Sequence, residues 1–334
     1  MQVFFNCGPK VTNYKHPLFY LYEIIIKNMQ NDNLAENRYL CRHVQQNEHV
    51  MKKFYSLFSV ILLLAGTGNL PTQTITACRD SVQYGYDFWL FTPEGYPEAP
   101  DSVKRQTPLI LFLHGGSLVG RNLSLAARYG TIDAIKRGQR IDAVVIQPQT
   151  FGREHGYPST WNTDRLANIL DWAKEKVPYD TNRVYVLGMS TGGYGTLEFT
   201  YCHPDRVAAA MALCGGSARR EFAPLDEVPL WLIHGNADRV VPFSQSELVY
   251  DWVCHQGKSG ERIRFDIMVG YDHSSLCRFF YIPMTYEWLF KHSLAQEGRP
   301  VDRSFTITKE TLSRAYMYVD PDFKASLKII DRPR

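Results

Sequence analysis

The sequence predicts an α/β protein built on a mostly parallel sheet with helices on both faces. Three observations predict it: strand-like and helix-like segments alternate from residue 78 onward, several strand-like runs are apolar throughout, and no internal repeat interrupts the pattern. Continuous apolar runs belong to strands covered on both faces. Alternation with helices requires crossover connections, and the lack of a repeat excludes solenoids and propellers.

Tyr84–Thr92 reads as an early strand, ended by the turn signal Pro93-Glu94-Gly95-Tyr96-Pro97. Pro108–His114 is a short apolar run that stops at Gly115-Gly116, the mark of a buried strand. Ala126–Arg137 fits a helix, and Ile141–Gln147 a second buried strand. Over Asp164–Val177 the apolar residues Leu166, Ile169, Leu170, Trp172 and Ala173 fall at helical spacing, with Thr163 as the expected N-cap. Arg183–Leu187 follows as a strand, Gly192–Cys202 as a helix, then Val207–Leu213 and Pro229–Ile233 as strands. The helix Phe243–His255, the strand Ile263–Val269 and the helix Tyr281–His292 complete the series. The polar tail from Ala295 to Arg334 offers short strands at Phe305–Thr308 and Tyr316–Val319.

Composition narrows the function. In 334 residues, 45% apolar and 21% charged side chains are ordinary for a globular chain able to bury a large core. With 37 basic against 34 acidic residues the net charge is +3, so electrostatics give no case for a nucleic-acid partner. The seven cysteines form no CxxC pair or Cys/His cluster at metal spacing, so neither structural zinc nor another metal is expected.

The stretch from Met51 has two lysines, an apolar run from Phe54 to Gly66, and then small and polar residues. This is the layout of a secretory signal peptide. The run is 13 residues, about 20 Å as a helix, against a hydrocarbon core of roughly 30 Å. A buried core helix would have no reason for Lys52 and Lys53 at its entry. The expected organisation is therefore an over-extended N-terminus at 1–50 and a signal peptide at 51–77, cleaved near Gly68 or Ala77. A catalytic domain at 78–294 and an extension at 295–334 follow. The mature protein would be secreted or periplasmic, without a stable membrane span. Its five remaining cysteines would meet an oxidising compartment, and their odd number leaves at least one thiol unpaired.

Four segments carry chemistry. Gly188-Met189-Ser190-Thr191-Gly192 follows a strand and opens a helix, the setting in which G-x-S-x-G exposes a nucleophilic serine on a strained turn. His114-Gly115-Gly116-Ser117 ends another strand, and a glycine-rich loop there can aim a backbone N–H at an oxyanion. Gly116 is the expected first donor and Thr191, after the nucleophile, the second. Trp231-Leu232-Ile233-His234-Gly235-Asn236-Ala237-Asp238 runs a strand into a turn bearing a carboxylate, which suits Asp238 to orienting an imidazole. His234 and His114, at strand ends in tight glycine turns, read as structural. Gly270-Tyr271-Asp272-His273 places His273 in the loop after the last strand, where a general base can lean over the serine. Asp272 reads as a solvated loop residue.

Together the segments LHGGS, GMSTGGYG, HGNADRVVP and GYDHSS resemble the α/β-hydrolase superfamily over about residues 79–293. They are most similar to the branch holding carboxylesterases, feruloyl and acetylxylan esterases, polyhydroxybutyrate depolymerase-like enzymes and prolyl-oligopeptidase-like catalytic domains. The resemblance implies an α/β-hydrolase fold and a serine acyl-enzyme mechanism. Ser190 is then the nucleophile, His273 the proton shuttle and Asp238 its orienting acid, with Gly116 and Thr191 as oxyanion hole. It implies no cofactor or metal.

The connection between the strands ending near Leu213 and starting at Pro229 is about 15 residues, too short for a lid domain. An open site suits a bulky or polymeric ester better than a long lipid chain, so small or polysaccharide-linked esters are the expected substrates. Tyr157 and Trp161 in the loop Thr150–Thr163 could stack on a sugar or phenolic group, and Trp161 is at least as well suited to anchoring the loop to the core. A prolyl-oligopeptidase-like peptidase and a non-catalytic binding protein on the same scaffold remain alternatives.

Overall fold

A computed structural model of the chain describes residues 72–257 and 260–332. The segment 1–50 and residues 51–71 of the expected signal peptide lie outside those residues. Among the described residues, nine strands form one sheet in the order β8-β7-β6-β5-β3-β4-β2-β1-β9. They are β1 (Gln73–Cys78), β2 (Phe88–Thr92), β3 (Leu109–Leu113), β4 (Val144–Pro148), β5 (Val184–Met189), β6 (Ala209–Leu213), β7 (Leu230–Gly235), β8 (Ile263–Met268) and β9 (Leu327–Ile330). Strands β3 to β8 are mutually parallel. β2 runs antiparallel to β4 and to β1, and β9 lies parallel to β1 at the edge.

Period-two alternation along wholly buried strands builds two cores. In β3, Ile110 and Phe112 enter the core on one face, while Leu109, Leu111 and Leu113 enter the core on the other. Helices α1 (Thr131–Arg137), α2 (Thr163–Lys176), α3 (Thr191–Cys202), α4 (Ser244–Gln256) and α5 (Pro283–Phe290) flank the sheet. α2 is capped by Asn162 rather than Thr163: the Asn162 amide oxygen accepts from the N–H groups of Asp164 (3.0 Å) and Arg165 (3.2 Å). No helix of the described residues is long and apolar enough to cross a membrane.

The sheet reaches past the expected 78–294 span at both ends. β1 begins at Gln73, and the tail supplies β9 together with the buried side chains Val301, Ile307, Leu312, Ala315 and Phe323. The tail strands expected at Phe305–Thr308 and Tyr316–Val319 do not form. The first stretch is irregular, and the second overlaps a short 3₁₀ turn at Ala315–Met317. Short apolar runs are ambiguous in sequence, and here the sheet edge is taken by Leu327–Ile330 instead.

Candidate active site

β5 runs straight into α3, and Ser190 occupies the junction with φ 58° and ψ −124°, a left-handed conformation that side chains other than glycine rarely adopt. The glycines two positions away make that turn possible by close approach. A Cβ on Gly192 would overlap the Leu113 carbonyl, and one on Gly188 would crowd the carbonyls of Leu113 and Gly192. The strand–turn–helix geometry thus presents Ser190 at the carboxyl edge of the sheet, beside the end of β3.

Asp238 sits in the turn after β7, and His273 in the loop after β8. His273 Nδ1 lies 2.6 Å from Asp238 Oδ2, while Asp238 Oδ1 accepts from the N–H groups of Val240 (2.8 Å) and Val241 (2.9 Å). Burial pushes the Asp238 carboxyl up, but the hydrogen bonds from His273, Val241 and Val240 outweigh it and leave it below its ordinary range. The carboxylate is therefore ionised and fixed from both oxygens, which commits His273 Nδ1 and leaves Nε2 for chemistry.

His234 supports the same carboxylate from behind. Fully buried, it places Nε2 3.3 Å from Asp238 Oδ2 and 3.1 Å from the Val241 carbonyl, with Nδ1 2.7 Å from the Ser246 hydroxyl. Burial lowers its pKa, which favours the neutral ring, and the Ser246 hydroxyl in turn donates to the Gly215 carbonyl at 2.8 Å.

On the other side of Ser190, the Gly115 N–H donates to the Tyr129 hydroxyl. Gly116, next along, opens a short 3₁₀ turn, Gly116–Leu118, with its Cα close to the Thr191 side chain. No acceptor holds the Gly116 or Thr191 N–H among the described hydrogen bonds, and the two groups flank Ser190. His114 anchors this loop: its Nδ1 lies 2.8 Å from the Gly115 carbonyl, and Nε2 accepts from the Thr150 N–H at 3.3 Å. Burial lowers its pKa to about 4, so it is a neutral structural group at neutral pH.

Ser190, Thr191, Gly116 and His273 line one cavity of about 510 Å³ together with Tyr129, Met189, Val240 and Cys277. Tyr157 and Trp161 are not among its lining residues. The Tyr157 hydroxyl donates to Asp164 Oδ2 at 2.5 Å. Of the two expectations for Trp161, the loop anchor fits and stacking on a substrate does not: its ring is fully buried against His114 (4.9 Å) and Tyr86 (5.6 Å) and over Gly195. Tyr129, His234 and Val240 are the contributors that sequence reasoning missed or left in a structural role. Tyr129 has no local motif, whereas the position of His234 four residues before Asp238 was a usable signal.

Cys214, Asp238 and His273 offer ligand atoms within 4.8 Å of one another, but the Asp238 and His273 atoms are already bonded to each other. Burial and the neighbouring Asp238 push the Cys214 thiol far up, which makes it an inert apolar neighbour. All five cysteines of the described residues are unpaired.

The family described as phospholipase/carboxylesterase matches residues 154–285, a span that contains Ser190, Asp238 and His273 but not Gly116. A poly(3-hydroxyoctanoate) depolymerase of Pseudomonas fluorescens is 33% identical over 116 residues, covering 32% of this chain and 42% of that protein. A bifunctional acetylxylan esterase/xylanase of Neocallimastix patriciarum is 31% identical over 158 residues, covering 45% of this chain and 22% of that protein. The chain thus spans less than half the length of these relatives. In structure, a thermostable esterase superposes with TM-score 0.50 at 24% identity, over 62% of this chain and 59% of that one.

Proposed function

On the α/β-hydrolase fold that this chain has, we propose that it is a secreted serine hydrolase of carboxylic esters, acting on small or polysaccharide-linked acetyl or feruloyl esters. The observation that carries the reading is the convergence in one cavity of a serine on a strained turn, an imidazole fixed by a buried carboxylate at 2.6 Å, and two unengaged backbone N–H groups. The similarity to a poly(3-hydroxyoctanoate) depolymerase and to an acetylxylan esterase supports the same class.

In the proposed mechanism Ser190 Oγ attacks the ester carbonyl carbon as His273 Nε2 takes its proton. The Gly116 and Thr191 N–H groups hold the resulting oxyanion. Collapse breaks the carbon–oxygen bond, and His273 returns the proton to the departing alcohol. Water, deprotonated by His273, then attacks the acyl-enzyme; the acid leaves and Ser190 recovers its proton. Asp238 stays ionised throughout, holding the ring and balancing the imidazolium charge.

The test is a substrate panel: nitrophenyl acetate, butyrate and octanoate, methyl ferulate, acetylated xylan and a proline-containing peptide anilide. Turnover of esters without anilide cleavage is expected, with Ser190→Ala folded but slower in kcat by on the order of 10⁶. Efficient anilide cleavage would assign the site to a peptidase. A folded protein silent on every ester would overturn the enzymatic reading in favour of a binding scaffold.

A further inference from the structure

A second cavity, of about 520 Å³, adjoins the one that holds Ser190. The two share Val240, His273 and Ser274, and the second adds Arg239 and Asp272 but neither Ser190 nor an oxyanion donor. In the mechanism above His273 hands its proton to the departing alcohol, so the alcohol leaves on the side of the shared residues. The acyl carbon stays on Ser190 with its oxygen at Gly116 and Thr191. The acyl group is left to the remaining wall of the first cavity, where the large side chains are Tyr129, Met189 and Cys277.

That wall is uncharged. No residue lining the first cavity carries a carboxylate, ammonium or guanidinium group. The Tyr129 hydroxyl accepts from the Gly115 N–H, and burial pushes its pKa up to about 12. Burial also raises the Cys277 thiol, which stays protonated. An acyl group ending in a charge would find no partner there. An acetyl methyl would leave most of the 510 Å³ unfilled.

Cys277 is held from beyond residue 285, where the family match ends. It belongs to the 3₁₀ turn Ser274–Tyr281, and the tail brings its own turn, Ala315–Met317, against it. Cys277 Sγ lies 3.8 Å from the Tyr316 hydroxyl, and the Tyr316 ring lies 4.7 Å from that of Tyr281. The Arg137 guanidinium stands over both rings, at 5.6 Å and 5.7 Å. Asp133 Oδ2 ties this cluster to α1, accepting from Arg137 Nε and from the Tyr281 hydroxyl at 2.7 Å each. Leu312 and Ala315, both buried, anchor the tail just before Tyr316.

We propose that the tail sets acyl selectivity: Tyr316 is a positioning residue that holds Cys277 as the end wall of a chamber for uncharged acyl groups larger than acetyl. The inference rests on the esterase reading and narrows its acyl group. Each methylene buried in the chamber is worth roughly fourfold in kcat/KM, and the gain stops where Cys277 ends it.

The test compares nitrophenyl acetate, butyrate and octanoate on the whole chain, so that the leaving group is constant and only ratios of kcat/KM are read. The butyrate-to-acetate ratio is expected to be about ten in the wild type and to fall about tenfold in Cys277→Phe, which fills the chamber. Tyr316→Ala frees the end wall and is expected to raise the octanoate-to-butyrate ratio at least threefold, while Tyr316→Phe, which keeps the ring, restores the wild-type profile. A wild type with no preference for butyrate over acetate would overturn the chamber. Equal losses on all three esters in Tyr316→Ala would mean that the tail supports His273 instead, and would overturn its role in selectivity. Titration of 2-nonanone, an uncharged mimic of the octanoyl group, into Ser190→Ala, followed by NMR, separates this from failure of the esterase reading. Binding that is weakened by adding Cys277→Phe supports the chamber even if no ester is turned over, and absence of binding would overturn it.

Discussion

Asp238 illustrates how much of a site is made by groups that never touch a substrate. One of its oxygens is spent on the backbone of Val240 and Val241, the other is shared by His273 and His234. Tyr129 does the equivalent work opposite, accepting the Gly115 N–H and so holding the loop whose next residue, Gly116, lines the cavity. Tyr129→Phe leaves that amide without its acceptor, which costs about 1–3 kcal/mol. Denaturant unfolding is expected to show that loss and ester turnover a drop in kcat with KM little changed; wild-type values for both would show that Tyr129 is dispensable. The serine, acid and imidazole candidates were legible because each sits in a short run with its own glycine and strand context. Tyr129 was illegible because its role arises from a contact with Gly115, across 14 positions, and nothing in its immediate neighbours announces it.

At the scale of elements, long apolar strands were readable and edge strands were not. The runs at β3, β4 and β6 are buried on both faces, and such runs declare themselves by composition alone. β1 reads as QTITAC and β9 as LKII, half-exposed strands whose pairing is decided by each other. β1 also bears on export. Cleavage after Gly68 leaves the strand whole, whereas cleavage after Ala77 would remove residues 73–77 and with them its pairing to both β2 and β9. N-terminal sequencing of the native protein is expected to begin at residue 69. A start at residue 78 would mean the fold does without β1, and peptides from 1–50 would argue against translation from Met51.

For the molecule as a whole, buried histidines set the response to acid. Burial lowers the pKa of His114 to about 4 and also depresses His234 and His292. Unfolded, each returns to an ordinary value near 6.5, so between that pH and about 4 the unfolded chain binds more protons than the folded one. Stability is therefore full above about 6.5 and declines as the pH falls, by about 3 kcal/mol from His114 alone across the window. Unfolding titrations at pH 7.5 and pH 5 are expected to show the decline, and His114→Gln a shallower one; equal stability at both pH values would contradict it. The β1–β9 pair has a mechanical meaning too. Because the first and last strands of the described residues lie side by side and parallel, over the register Gln73↔Leu327 to Thr76↔Ile330, the described chain enters at one end of the pair and leaves at the other. Tension applied through the two ends loads those hydrogen bonds in shear, all at once, rather than peeling them singly, so the edge of the sheet acts as a clamp against pulling.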